Sequence, residues 1–234
     1  MSLQWWTQCA GVLDGASVRR PRPVAQPQKR GTLPPVRQAH LILITGLPGT
    51  GKSTLARTLA RHYAMPLICK DAIKEPLFDT FGAPEREDSR RLSNASFAVM
   101  FSVLRDCVAA GTDVILEGNF RPGEHEAAIL DCFAPPSGAP RLAQVLCHVI
   151  EPVRIARLKA RASDPSRHPG HRDVEFVLPH TSVANPSSPA TGFLLLPGER
   201  LTLDTHVAPS PQQSVIDALS AWRRESQSTL QSEA

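Results

Sequence analysis

The stretch Gly46-Leu47-Pro48-Gly49-Thr50-Gly51-Lys52-Ser53-Thr54 constrains this chain more than any other, because the apolar run His40-Leu41-Ile42-Leu43-Ile44-Thr45 leads straight into it. Strand, glycine-rich turn and helix start follow one another in the pattern G-x-x-x-x-G-K-[ST], a P-loop. The small residues Gly46, Gly49 and Gly51 let successive backbone N–H groups turn inward around a phosphate, and the helix that follows adds its positive N-terminal end. Pro48, Thr50 and Thr54 complete the loop. Lys52 reaches the β/γ-phosphates and the Ser53 hydroxyl is the natural Mg²⁺ ligand, so the expected ligand is a nucleoside triphosphate.

The rest of the chain alternates between strand and helix patterns. Ser53 to Ala64 carries Leu55 and Leu59 at helical spacing and closes at Met65-Pro66, and Leu67-Ile68-Cys69 is a short buried strand. In Lys70-Asp71-Ala72-Ile73-Lys74-Glu75-Pro76, Asp71 suits a helix cap, and Pro76 either kinks that helix or begins the next. Residues 88–110 form the longest periodic stretch, with Phe97, Met100, Leu104 and Val108 on a broad apolar face that ends at Gly111. A buried strand, Asp113 to Asn119, precedes a loop at Phe120-Arg121-Pro122-Gly123 and a helix from Glu124 to Cys132. Then come a strand from Ala143 to Ile150, a helix from Pro152 to Arg161, a strand from Arg200 to Asp204 and a helix from Gln212 to Arg224. This alternation predicts an α/β fold: a parallel sheet of about five strands with helices on both faces.

The predicted domain spans 40–224. Residues 163–192, rich in Pro, Gly, Ser and His, form a loop of the length usual for a lid. Residues 1–39, with Pro21, Pro23, Pro27, Pro34 and Pro35 and no apolar periodicity, read as a disordered extension in which Trp5 and Trp6 stand out. Residues 225–234 read as a flexible tail.

In open parallel sheets, ligands bind at the carboxyl ends of the strands. Asp71, 19 residues after Lys52, stands at that edge, where it either accepts the proton of an acceptor hydroxyl attacking the γ-phosphate or only caps its helix. Lys74, one turn on, suits an anionic group or a partner for Asp71. Glu117 ends the central strand, as a holder of the magnesium hydration shell or as a satisfied strand-end acid. Asn119, Phe120 and Arg121 follow where an acceptor would lie, the ring as a wall and Arg121 for a charged group. Arg154, Arg157 and Arg161 share one helix face that opens into the long loop, as lid arginines over the transferred phosphate or as a solvated stripe. His168-Pro169-Gly170-His171 lacks the carboxylates or cysteines of a metal site and reads as a lid or substrate contact.

The succession Gly-x-Pro-Gly-x-Gly-Lys-Ser-Thr, Lys-Asp-x-Ile-Lys, Glu-Gly-Asn-Phe, an Arg-rich helix and a final Leu-Asp-Thr resembles the small P-loop kinases grouped with AAA-family ATPases. These are similar to chloramphenicol phosphotransferase, zeta toxin and the kinase half of polynucleotide kinase. The resemblance covers about residues 40–222. It implies an adenylate-kinase-like P-loop NTPase sheet with a lid, ATP and Mg²⁺ as cofactors, Asp71 as general base, and Arg157 and Arg161 as catalytic lid residues beside Lys52. Lys74 stands where relatives often carry Arg. Glu117 in place of a more usual Asp, and the Pro/Ser segment 185–192, are departures from the pattern. The expected reaction is transfer of the γ-phosphate of ATP to a hydroxyl of a small molecule. Polynucleotide 5′-hydroxyl phosphorylation and a regulatory ATPase without an acceptor are the alternatives.

The formal charge of +4 allows nucleic acid as a partner without indicating it, since six Lys/Arg against the single acid Asp14 fall in the first 39 residues. Five widely spaced cysteines give neither a disulfide framework nor a zinc pattern. No apolar run approaches the ~20 residues of a membrane span, and the start of the chain lacks the pattern of a secretion signal. The expected location is the cytoplasm, with no membrane partner.

Overall fold

The computed structural model describes residues 37–133, 138–171, 192–206 and 211–232, with side chains to Glu225 in the last segment. The expected extension as far as residue 36, with Trp5 and Trp6, and the loop over 172–191 lie outside the described residues. The order of elements is β1 (His40–Thr45), α1 (Lys52–Tyr63), β2 (Leu67–Cys69), α2 (Lys70–Phe81), α3 (Arg86–Ala109), β3 (Val114–Glu117), α4 (Glu126–Leu130), β4 (Arg141–His148), α5 (Glu151–Ala162), β5 (Glu199–Asp204) and α6 (Pro211–Ser232). Short 3₁₀ turns follow α4 at Asp131–Phe133 and α5 at Pro169–His171.

The five strands are all parallel, in the order β2-β3-β1-β4-β5. The strand that feeds the P-loop is therefore central. Ile44 is in register with Glu117, and Cys69 pairs with the same Glu117, so the ends of β1, β2 and β3 meet at one edge.

Alternation along β1 divides the core. Ile42 and Ile44 pack with Leu55 and Leu59 of α1 and Val215, Leu219 and Trp222 of α6. Leu41 and Leu43 face the other way, onto Met100, Leu104 and Val108 of α3 and Ile129 of α4. By length and composition α3 could cross a bilayer, which the sequence reading did not foresee. Here its buried stripe lies on the sheet.

Two polar clusters fix the ends of this framework. The fully buried Gln144 accepts from the Leu194 N–H at 2.9 Å and donates to the carbonyls of Leu194 and Leu196 at 3.3 Å each, seating the chain where it returns after the long loop. Asp113, at the opposite end of β3 from Glu117, accepts from Arg37 at 2.7 Å, the His40 N–H at 2.8 Å and Arg223 at 2.8 Å. Residues 37–39, assigned from sequence to the extension, thus belong to the folded body.

Several boundaries differ from the sequence expectation. α2 runs through Pro76 from Lys70 to Phe81, so of the two alternatives the proline lies within the helix and does not begin the next. The N–H that Pro76 lacks would have served Ala72, an exposed residue, which keeps the loss small. α3 starts at Arg86 because Glu85 and Asp88 form a capping box. α6 continues to Ser232, eight residues past Arg224, so the stretch read as a flexible tail is largely helical.

Candidate active site

The P-loop is shaped by glycines with no substitute. Gly46 has φ 144°, and a Cβ there would lie 2.2 Å from the Cys147 carbonyl oxygen of β4. Gly51 has φ 83° and caps α1 in the left-handed region. Leu47 O collects the loop, accepting from Thr50 Oγ1 at 2.8 Å, the Thr50 N–H at 3.3 Å and Lys52 Nζ at 3.4 Å.

Glu117 draws the P-loop and the two neighbouring strands together. Its Oε2 accepts from Ser53 Oγ at 3.3 Å and from Cys69 Sγ at 2.7 Å, and its Oε1 lies 3.8 Å from Lys52 Nζ. Burial, reinforced by this carboxylate, pushes the Cys69 thiol up to about 12, so it stays a proton donor to Glu117. A hydroxyl and a carboxylate converging beside a phosphate-binding loop are hard oxygen donors of the kind Mg²⁺ takes, with water and phosphate oxygens completing its shell.

Asp71 is the second residue of α2, and no side chain caps that helix, so the capping role weighed from sequence is not realised. Its carboxylate lies 3.3 Å from Lys70 Nζ and 3.6 Å from His171 Nδ1. Burial works to raise its pKa, but Lys70, His171 and Lys52 together hold the carboxyl below its ordinary value. His171, whose side chain is 6% exposed, reaches Glu75 Oε1 through Nε2 at 2.6 Å. Burial lowers its pKa against the opposing pull of Asp71 and Glu75. His168 lies 2.9 Å from Asp79 and edge-on to Phe78. The His-Pro-Gly-His segment is therefore docked on α2, along carboxylates spaced i, i+4 and i+8.

Two cavities open at this edge, one of about 750 Å³ and one of about 770 Å³. The first is lined by Gly49, Gly51, Lys52, Ser53, Thr54, Arg57, Arg157 and Thr205, and follows the P-loop toward β5 and α6. The second is lined by Lys70, Lys74, Ser89, Asn94, Phe97, Asn119 and Arg121, and opens between α2, α3 and the loop after β3. Lys52, Ser53, Asp71, Glu117, Arg161, Arg167 and His171 line both. The wall between the cavities is thus the P-loop cation, the hydroxyl–carboxylate pair and Asp71.

The remaining sequence candidates divide. Asn119, Arg121 and Lys74 line the second cavity, Lys74 donating to Ser89 Oγ at 2.8 Å. Phe120 does not serve as the expected wall: it is 2% exposed and packs in the core beside Phe97 and His125. With no side chain at Gly118, the Phe120 ring folds back to within 3.3 Å of where a Cβ would stand there. The half-buried Phe97 of α3 lines the second cavity instead.

The arginine stripe of α5 also differs from expectation. The helix begins at Glu151, one residue before the expected Pro152, and Glu151 holds Arg154 by two bonds of 2.7 and 2.6 Å. Arg154 Nη1 reaches the Pro48 carbonyl at 3.4 Å. Arg157 donates to Thr205 Oγ1 and to the Thr205 carbonyl at 2.8 Å each and reaches Gly49 O at 3.4 Å, bracing the P-loop against the segment after β5. Arg161 alone of the three reaches the shared wall.

The AAA domain family model matches residues 41–174, from β1 through the docked histidines. The chain belongs to the AAA domain family. Among solved structures, a candidate kinase from Chloroflexus aurantiacus is 29% identical with a TM-score of 0.65, the match covering 81% of this family member and 98% of that chain. A gluconokinase from Sinorhizobium meliloti is 17% identical with a TM-score of 0.45, over 85% and 99% of the two chains. An APS kinase from Mycobacterium tuberculosis, solved with AMPPNP and APS, is 21% identical with a TM-score of 0.44, over 79% and 99%. No curated protein matches. This AAA domain protein has the α/β fold of the small P-loop kinases.

Cavity-lining residues to which the sequence reading gave no role in the site include Glu75, Ser89, Phe97, Arg86 and Arg167, whereas Thr205 closes the Leu-Asp-Thr motif quoted above. Of these, Glu75 carried a readable signal, one turn beyond Asp71 on the same helix face.

Proposed function

We propose that this protein is an ATP-dependent kinase that transfers the γ-phosphate to a hydroxyl of a small molecule. The observation that carries the reading is the shared wall, where Lys52, Ser53, Glu117 and Asp71 stand between a cavity along the P-loop and a second one lined by polar and aromatic side chains. ATP occupies the first, its phosphates on the loop N–H groups and Lys52. Ser53 and Glu117 are the residues to hold Mg²⁺, which when bound neutralises charge on the β- and γ-phosphates. The acceptor occupies the second cavity with a hydroxyl at Asp71. Asp71 takes the hydroxyl proton as the acceptor oxygen bonds to the γ-phosphorus, and the bond to the β,γ-bridging oxygen breaks to release ADP. Lys52 and Arg161 stabilise the charge on the transferring group, while Arg157 holds the P-loop in place. Because its pKa is held down, Asp71 is ionised throughout the neutral range, ready to accept a proton.

The test is a transfer screen with γ-labelled ATP across sugars, polyols, nucleosides, antibiotics and 5′-hydroxyl oligonucleotides. The reading requires label on one class of small hydroxyl compound, dependent on Asp71. Steady hydrolysis that no acceptor accelerates would replace it with a plain ATPase.

A further inference from the structure

His125, just ahead of α4, lines the acceptor cavity, and its neighbours fix how its ring stands. Between ring centroids it lies 4.4 Å from Phe97, 5.8 Å from Phe120, edge-on, and 6.4 Å from Phe101. Three phenylalanines thus hold the ring in place, and the backbone distinguishes its two nitrogens. The Arg121 N–H donates to Nδ1 at 3.1 Å, while the Arg121 carbonyl, the alternative partner of a protonated Nδ1, lies at 3.4 Å. A backbone N–H can only donate, so Nδ1 is the bare acceptor and Nε2 carries the proton.

Among the described residues that Nε2 proton meets no acceptor. Nor is Nε2 among the buried polar atoms that lack a partner, so it is accessible to a guest in the cavity that His125 lines. Burial outweighs the pull of the Arg121 carbonyl, Glu124 and Glu126 and takes the ring below its ordinary pKa of 6.5. Protonating Nδ1 would also set two donors against each other at Arg121, so the ring is neutral in the neutral range. A guest that covers the Nε2–H without accepting from it leaves a donor desolvated and unpaired, and the cavity therefore selects for an oxygen at that point. Phe97 beside it offers contact for carbon.

We propose that His125 Nε2–H is a specificity-determining donor of the acceptor site, an inference that rests on the kinase reading above. The acceptor then carries at least two oxygens, one that meets Asp71 and is phosphorylated and a second that accepts from His125, with its carbon skeleton against Phe97. The full chain, with isotope-labelled histidine and saturated with a non-hydrolysable ATP analogue and Mg²⁺, is probed by NMR with glucose, ribose and their monodeoxy analogues. At neutral pH the His125 ring shows a bare Nδ1 and a protonated Nε2, and glucose or ribose moves the Nε2 signal. At least one monodeoxy analogue binds about three- to tenfold more weakly than its parent, the span of a neutral hydrogen bond. In His125→Phe, which keeps a ring among the three phenylalanines, that penalty vanishes. The first two readouts are made on the wild-type chain and stand even if His125→Phe folds poorly, with His125→Gln then assigning the ring signal. A proton on Nδ1 at neutral pH, an Nε2 signal that neither sugar moves, or a deoxy penalty that persists in His125→Phe overturns the proposal. Transfer is read separately. The expected ring state and binding without transfer fault the kinase reading alone, whereas efficient transfer to a sugar whose binding ignores His125 faults this inference alone.

Discussion

His171 Nδ1 lies 3.6 Å from Asp71 Oδ2, and this contact ties the base of the long loop to the proposed proton acceptor. With Lys70 and Lys52 it keeps the Asp71 carboxyl below its ordinary value of 3.8. A base must be deprotonated to act, so a depressed pKa moves the acid limb of kcat/KM down and a raised one moves it up. Lys70→Met and His171→Gln therefore both shift the acid limb of transfer toward neutral pH, Lys70→Met the further of the two. A purely structural histidine would lower the melting temperature and leave the limb where it is.

Asp113 predicts a separable effect on stability. Burial works to raise its pKa, but the bonds from His40 and Arg37 prevail and hold the carboxyl far below the usual range. The unfolded chain then binds more protons than the folded one in acid, so this contribution is complete above the ordinary pKa of 3.8 and fades as pH falls toward the folded value. Asp113→Asn loses ~2–4 kcal/mol at neutral pH, as expected for a buried carboxylate with several charged or N–H partners. Urea unfolding checks the loss, and its difference from the wild type shrinks in acid. ATP affinity is unchanged, because Asp113 sits at the far end of β3 from Glu117.

The pairing of Ser53 with Glu117 predicts how the metal requirement responds. Ser53→Ala removes one of the two proposed oxygen donors and Glu117→Gln replaces the charged one by a neutral amide oxygen, so in each the Mg²⁺ concentration for half-maximal transfer rises by about tenfold or more. Saturating Mg²⁺ restores much of the rate in Ser53→Ala. A titration of activity against Mg²⁺ that superimposes on the wild type would remove the pair from metal binding.

The sequence shows the parts that local chemistry determines. The P-loop, the alternation of strand and helix, and the exit of β2 at Asp71 all follow from spacing and residue type within a dozen positions. What it hides depends on contacts across the chain. Phe120 reads as an acceptor wall because it follows a strand end, yet the space left by Gly118 lets its ring turn into the core, and Phe97 from a helix more than twenty residues earlier takes the wall. Arg157 reads as a mobile lid cation, but its partner Thr205 lies 48 residues on, brought beside it only when β5 joins β4. The docking of His168 and His171 on α2 spans 89 and 96 residues and has no local signature.

Asp71→Asn tests the central claim most directly, with ATP affinity and single-turnover transfer measured on the same purified protein. Asn keeps the size of the side chain but cannot take a proton. The account predicts that ATP affinity survives while transfer falls by ~10²-fold or more, the range of a positioned general base. Transfer at the wild-type rate in a folded, ATP-binding Asp71→Asn protein would contradict it.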